Sequence, residues 1–361
     1  MRDLRGNVAG ARGVAPGVTT STSGMPAPPG WSDPGVAWHY GNPHAEQAAL
    51  EAGHGCVDLG HREVVAVAGP DRLGWLDDLT TARLRDLPAG GSRLALVLSP
   101  HGHVEHELHV VDDGSTTWIV VDEGRGDALV AHLRSMQFLL RVEVSARPDL
   151  AVVWEPIAVP DPARPTWLVP GDFSGGTPTP SGSDRGGDAA RYVPHRPALL
   201  VGREVLLPRE LVPGRIVDSG APAGTWALEA LRVAAAVPRL GWETDHRTLP
   251  HEVGWIGAGV HLAKGCYRGQ EAVARVHNLG RPPRRLALAH LDGTAGVLPA
   301  HGDEVVVDGR VVGWVATPAR HHELGPVATV VLRRATEPTA DLVIRAADGE
   351  VLASQQVVVA A

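Results

Sequence analysis

The chain has 361 residues, of which 43% are hydrophobic and 20% charged, which suits a soluble globular protein with enough chain for two or three domains. A formal net charge of −8 excludes a general basic footprint for nucleic acid, and no apolar run is long enough to span a membrane. Two cysteines, Cys56 and Cys266, are too few for a four-ligand zinc site and suit a reducing compartment, so a cytoplasmic monomer is expected.

Residues 1–37 are rich in Gly, Ala, Pro, Ser and Thr and read as disordered. A first α+β domain is expected over 38–145. Asn42-Pro43 caps a helix over 44–52 that Gly53 closes. A strand over 64–67 leads to a helix opened by Gly69-Pro70-Asp71, with Leu73, Leu76 and Leu79 on one face. Strands follow over 94–98, 104–111 and 117–121, then a helix over 127–140 and a strand over 142–144. A second α+β domain is expected over 146–283. Its stretch 160–197 reads mostly as loop, flanked by strands near Val152 and Glu204. Thr225 starts a helix stopped by Pro238. Another helix over 270–277 lies between Gly269 and Gly280. Over 284–361 short β-branched runs with Asp308-Gly309 and Asp348-Gly349 turns predict a small β-barrel.

Chemistry concentrates in Lys264-Gly265-Cys266-Tyr267-Arg268-Gly269-Gln270-Glu271. Lys264 is the chain's one lysine among 33 basic residues, and it stands two positions from a cysteine. Lysine is a compact cation whose pKa shifts on burial, and a nearby cation lowers a thiol pKa. Gly265 and Gly269 let the backbone approach a ligand, and the helix after Gly269 turns free N–H groups toward the loop. The octet reads either as a turn with a buried inert thiol or as an activated one; the second is adopted.

Three other clusters stand out. Arg275, His277, Arg281, Arg284 and Arg285 read as a linker or as a rim for a ligand with several carboxylates. His101, His103, Glu105, Glu107 and His109 alternate along one strand and share a face. They span about 13 Å, too far to share one ion, so a polar outer face is expected and no metal site. Glu243, Asp245, His246, Arg247, His251 and Glu252 form a polar run suited to acid–base work or to satisfying its own loop.

The octet, read K-G-C-Y-R-G-Q-E, resembles the signature of the YgfZ family of folate-binding proteins, relatives of the glycine-cleavage T protein, an aminomethyltransferase. The segments 57–62 and 67–71, Ala230-Leu231-Arg232-Val233 and the β-rich tail are similar to that family as well. The resemblance implies an α+β fold of three domains in a cloverleaf of the aminomethyltransferase type, with a C-terminal β-barrel and a folate-binding first domain. It implies tetrahydrofolate or a derivative as cofactor and iron–sulphur proteins as partners. The function implied is an accessory role in iron–sulphur cluster assembly or repair, with Cys266 and Lys264 as the functional pair. Gly265, Tyr267, Arg268, Gly269, Gln270, Glu271, Arg232 and Arg275 are the implied folate contacts. Two departures weigh against an active aminomethyltransferase. The strand that carries that enzyme's aspartate reads His103-Val104-Glu105-His106-Glu107-Leu108, and Ala234 stands where its pterin-binding glutamate would be. Glu229, Glu243 and Glu252 are the candidate replacements. One-carbon transfer and a metal- or cluster-binding module remain the alternatives.

Overall fold

The computed structural model describes residues 24–28, 31, 33–170 and 198–359. Residues 1–23 of the segment expected to lack structure, and 171–197 of the expected loop, lie outside the described residues. In chain order, β1 (Met25–Pro26) pairs with β2 (Ala37–His39), and helix α1 (Pro43–Glu51) follows. Next come β3 (Cys56–Asp58), β4 (Glu63–Ala68), α2 (Arg72–Leu79), β5 (Ser92–Leu98), β6 (Val104–Asp112) and β7 (Thr116–Val121). Helix α3 (Gly126–Ser135) leads to β8 (Glu143–Ala146), β9 (Leu150–Glu155) and β10 (Thr166–Leu168). Then β11 (Arg203–Pro208), α4 (Val212–Asp218), β12 (Pro222–Ala223), α5 (Thr225–Ala234) and α6 (Gln270–Leu279) precede the tail.

The local chemistry explains several boundaries. Asn42 Oδ1 accepts from the Ala45 amide at 3.1 Å and Pro43 opens α1, so both expected caps form. Helix α3 stops at Ser135, short of the expected Leu140. Trp75 Nε1 donates to the Met136 carbonyl and Gln137 Nε2 to the Val142 carbonyl, which turns the chain back toward β8.

Strands β5-β6-β7-β4-β8 form one antiparallel sheet. One face packs against α2 and α3 through Val65, Val67, Leu108, Ile119, Leu76 and Leu129. The other face of β5 packs Leu94, Leu96 and Leu98 on Trp255 and Tyr267. A strand covered on both faces reads as a continuous apolar run, as this one does. The second sheet runs β10-β11-β9-β3-β12. Strand β3 joins it, antiparallel to β9 and parallel to β12, although it precedes the whole first sheet in the chain.

The tail forms a closed barrel of β13 (Arg284–Leu291), β14 (Glu304–Val307), β15 (Arg310–His321), β16 (Gly325–Arg333), β17 (Leu342–Ala346) and β18 (Gly349–Val357). Asp308 (φ 48) and Gly309 (φ 75) turn its β14–β15 hairpin, as the Asp-Gly pair predicts. Helix α5 is buried all round, between the second sheet through Ala227, Leu228 and Leu231 and the barrel through Ala230 and Val233. Burying one such Leu or Val contributes about 1.5–3 kcal/mol, so α5 holds the two bodies together. Among the described residues no helix is long and apolar enough to cross a membrane.

One expectation needs correction, and two elements add to the reading. The 1–37 segment contains structure at two places among the described residues: β1 pairs with β2, and Asp33 is buried as an ion-pair partner of Arg239. The stretch 160–197 contains β10, paired with β11. The sequence reading also missed α4, whose apolar face (Val212, Ile216) packs on β3, β9 and β11.

Candidate active site

A cavity of about 810 Å³, its open mouth included, lies between the two sheets and the end of α5. Its wall draws Glu107 and His109 from β6, Trp154 from β9, Trp167 from β10, Glu204 from β11 and Glu229 and Arg232 from α5. The alternation on β6 therefore puts Glu107 and His109 on one face as expected, but that face meets the cavity. The expectation of a polar outer face fails there because the second sheet covers it.

His109 lies flat on Trp167, with ring centroids 3.7 Å apart and 2° between the planes. Its Nδ1 is 2.8 Å from Glu204 and its Nε2 is 3.7 Å from Glu107. Burial pushes the imidazole pKa down, but the two carboxylates outweigh it and hold it at about 9. His109 is thus a cation at neutral pH. His106, in the same wall, is pushed down to about 4 by burial, helped by His132 and Arg125. Its Nδ1 and the indole N–H of the buried Trp154 have no hydrogen-bond partner. A Cβ at residue 202 would lie 2.3 Å from the Trp154 ring, so only glycine fits there.

From Glu204 a chain of ion pairs crosses the cavity floor. Arg62 bonds Glu204 in a short contact and stands 3.5 Å from Asp122. Arg239 donates to Asp122 at 2.7 Å and to Asp33 at 2.8 Å, and Asp33 meets His61 at 3.0 Å. Against the upward push of burial, Arg239 and Arg62 hold Asp122 at about 2, and Arg239 and His61 hold Asp33 well below the carboxylate range. Arg232 grips both Glu229 oxygens and reaches Glu243 and Thr317 of β15. Glu243 also accepts from Thr317 and Thr329 at 2.6 Å each, which ties the barrel to the site. Glu252 is fully buried and takes Arg284 and the Leu249 amide. Of the three candidate replacement carboxylates, only Glu229 lines the cavity. Glu107 lines it too; its Oε2 accepts from the Leu240 amide, and no guanidinium stands within ion-pair reach among the described residues. Arg125 is exposed in the wall, and its guanidinium has no ion-pair partner among the described residues.

The octet lies outside this wall. The Lys264 ammonium, 1% exposed, donates to the carbonyls of Asp77, Thr80 and Ala82 and stands 3.8 Å from Asp77 Oδ1. These carbonyls end α2 and start the next turn, so the lysine serves as a C-cap for a distant helix. Burial pushes its pKa down and Asp77 only partly offsets this. Tyr267 is buried in the core below β5, and burial raises its hydroxyl to about 12. Gly269 has φ 82 and a Cβ there would strike the Ser99 carbonyl at 2.5 Å. Gly265 has open space around it. Gln270 Nε2 faces the Lys264 carbonyl at 3.5 Å, Arg268 pairs with Glu105, and Arg275 pairs with Glu271. Cys266 is exposed, whereas Cys56 is buried, its thiol pushed up chiefly by burial. The buried-thiol alternative thus fails for Cys266. Of the downstream arginines, Arg284 is held by Asp245 and Glu252, Arg285 is buried at the barrel, and none lines the cavity. Of the implied folate contacts only Arg232 is at the cavity. The sequence reading missed Arg62, Arg125, Trp154, Trp167 and Arg239, which sit on separate elements with no shared spacing.

Among the described residues Glu51, His321 and His322 could hold a metal, with ligand atoms within 4.8 Å of one another. His321 Nδ1 accepts from the amides of Glu323 and Leu324 at 3.2 Å, which places the ring proton on the Nε2 that faces Glu51. A ligating nitrogen carries no proton, so this geometry makes a latch between α1 and the barrel.

No family model matches the chain. An aminomethyltransferase of Rubrobacter xylanophilus is 29% identical over 309 residues, 82% of this chain and 79% of that one. One from Streptomyces avermitilis is 25% identical over 331 residues, 83% of this chain and 82% of that one. The crystal structure of the glycine cleavage system aminomethyltransferase T from Bartonella henselae superposes with a TM-score of 0.69 at 16% identity, covering 88% of this chain and 90% of that one. The chain has the aminomethyltransferase T fold. The expected α+β architecture with a C-terminal barrel is therefore correct, and the cavity lies within that fold.

Proposed function

We propose that the cavity binds a reduced folate and that the chain carries out aminomethyltransferase-like one-carbon transfer. The observation that carries this reading is an open cavity holding an unpartnered indole N–H and a carboxylate without a guanidinium partner. A pterin ring offers a paired N–H edge that suits a carboxylate, and acceptor atoms that suit an indole N–H. Glu107 takes the first role and Trp154 the second. The flat His109–Trp167 stack lies in the wall for the ring, and Arg125 takes the carboxylate tail. Folate, when bound, supplies the nitrogen that accepts the one-carbon unit. Glu107 stands on the strand that the resemblance assigns to the aspartate of aminomethyltransferases, so a carboxylate is still present on that strand. The His109 cation keeps a proton within the cavity for a departing amine. Relatives named aminomethyltransferase over most of their length support this reading over an accessory role. The three expected units, 38–145, 146–283 and 284–361, are retained as a proposed division, with β3 crossing into the second.

The test is a tetrahydrofolate titration followed by tryptophan fluorescence, with methylene-tetrahydrofolate formation from an aminomethyl donor as the activity assay. Saturable quenching that Glu107→Gln weakens, together with product, is expected. Absence of quenching overturns the proposal. A second reading rests on the exposed thiol of Cys266, framed by the fixed Lys264 and Gly269 outside the cavity. It assigns the octet, as in YgfZ-type proteins, to an iron–sulphur accessory role. Loss of iron–sulphur enzyme rescue in Cys266→Ala with folate binding intact would support it.

A further inference from the structure

Three side chains of the second sheet form one row across it. Trp167 of β10 stands opposite Glu204 of β11, and Glu204 stands opposite Trp154 of β9. Residues directly opposite on neighbouring antiparallel strands share a face, and all three line the cavity. The row meets His109 of the first sheet. Trp167 takes the imidazole by its flat face and Glu204 takes it by Nδ1. The Trp167 indole is itself fixed, because its Nε1 donates to the Arg93 carbonyl of β5 at 3.0 Å. Glu204 is held from its other oxygen by Arg62, which also stands 3.5 Å from Asp122. A ring stacked on one neighbour and bonded at one nitrogen to the next has a single orientation.

Chemistry assigns the proton on Nδ1. Glu204 is buried, and against the upward push of burial Arg62 and His109 hold its carboxyl below the usual range. An ionised carboxylate only accepts hydrogen bonds, so the 2.8 Å contact requires the proton on Nδ1. Nε2 stands 3.7 Å from Glu107 Oε1, within an ion pair but beyond a hydrogen bond. Glu107 Oε2 is taken by the Leu240 amide at 2.8 Å. The charged groups facing the ring are thus Glu204 and Glu107, with Arg62 and Asp122 behind Glu204. The register neighbours of His109 in the first sheet, Leu94 and Val120, are apolar.

We infer that Glu204 is the positioning residue of the site: it commits Nδ1 of His109 and leaves Nε2, beside Glu107 in the cavity wall, as the proton donor to a departing amine. When the amine nitrogen's lone pair takes this proton, the Nε2–H bond breaks and the imidazole is left neutral, still protonated on Nδ1 against Glu204. A proton from solvent at the open mouth restores Nε2–H, and the ring returns in the same tautomer. The identity of the acceptor rests on the one-carbon transfer proposed above; the tautomer and the grip on the ring do not.

The experiment follows the imidazole by nitrogen-15 NMR of full-length protein, with His109→Gln assigning its signals. The ring titrates near 9, and above that the neutral form carries its proton on Nδ1. Glu204→Gln keeps an acceptor for Nδ1 and removes the charge, so the midpoint falls by about 1–2 pH units with the tautomer retained. Glu204→Ala, checked for folding by its melting curve, loses the tautomer preference as well. In the aminomethyl-donor assay the alkaline limb of kcat/KM moves down with the NMR midpoint in Glu204→Gln, which a merely structural role would not produce. An unchanged midpoint in Glu204→Gln, a neutral ring protonated on Nε2 in the unmodified protein, or an alkaline limb that stays while the midpoint moves overturns the inference. The NMR arm needs no ligand. The expected tautomer and shift without tetrahydrofolate binding therefore refute the one-carbon reading and leave the grip standing, whereas folate binding with the other tautomer refutes this inference alone.

Discussion

Lys264→Met is the sharpest test of what the octet's lysine does. The ammonium satisfies three carbonyls, with donor–acceptor distances of 2.7 and 2.9 Å to Thr80 and Ala82 and a short contact to Asp77. Methionine keeps much of the volume and removes every donor. Leaving a buried acceptor unsatisfied costs about 1–3 kcal/mol, and the three share one cation, so their losses are not additive. Removing one member of a buried charged cluster costs about 3–5 kcal/mol, and the expected loss is about 3–4 kcal/mol. Urea unfolding should show a lower midpoint at unchanged slope. Iodoacetamide labelling of native protein reports on the exposed Cys266, because Cys56 is buried. With the ammonium committed to α2, the labelling rate at neutral pH should not change. A variant of unchanged stability whose thiol reacts more slowly would refute this reasoning and return the lysine to the role of thiol activator.

Other outcomes follow from the same geometry. The folded pKa of His109 is raised to about 9, so its stabilising contribution is complete below its ordinary value near 6.5 and is lost as pH rises through 9. Melting curves of His109→Gln should lack the alkaline decline that the unmodified protein shows over that interval. Asp122 and Glu204 have lowered pKa values, so their contribution is present above the ordinary carboxylate range and fades as pH falls toward 2; Asp122→Asn should flatten that acid limb of a pH–melting profile. Ala236 is fully buried at φ 49, where an L residue pays roughly 1–2 kcal/mol. Ala236→Gly should therefore raise stability by up to about 1 kcal/mol in urea unfolding, after the entropy glycine adds to the unfolded chain. Arg125→Ala should weaken tetrahydrofolate about tenfold and leave a pterin without the carboxylate tail unaffected, as measured by fluorescence titration.

Much of the frame was legible because its signals are local. Asn42-Pro43, Asp308-Gly309 and the apolar run of β5 each act within a few residues, and each formed as read. The lone lysine drew the reading to the octet, but its acceptors lie some 180 positions upstream, and only the tertiary fold brings them near. Period-two alternation on β6 located one polar face without saying what would cover it. The covering sheet turned that face from outer surface to cavity wall. In the ion-pair network only Glu229 and Arg232 share a helix. Arg62, Asp122, Arg239 and Asp33 come from four separate segments, and no spacing links them. The arginine run 275–285 looked like a ligand rim because composition shows charge, whereas Asp245 and Glu252 had already claimed Arg284.

The crossing of β3 into the second sheet has a consequence for synthesis. Val57 cannot find its parallel partner Ala223 until roughly 165 further residues have left the ribosome, about 8–30 s at ordinary elongation rates. Its antiparallel partner β9 emerges earlier, so in the last part of that interval β3 waits with one edge unpaired. Slowing translation between β9 and β12 should therefore lengthen the time that this edge stands open to aggregation.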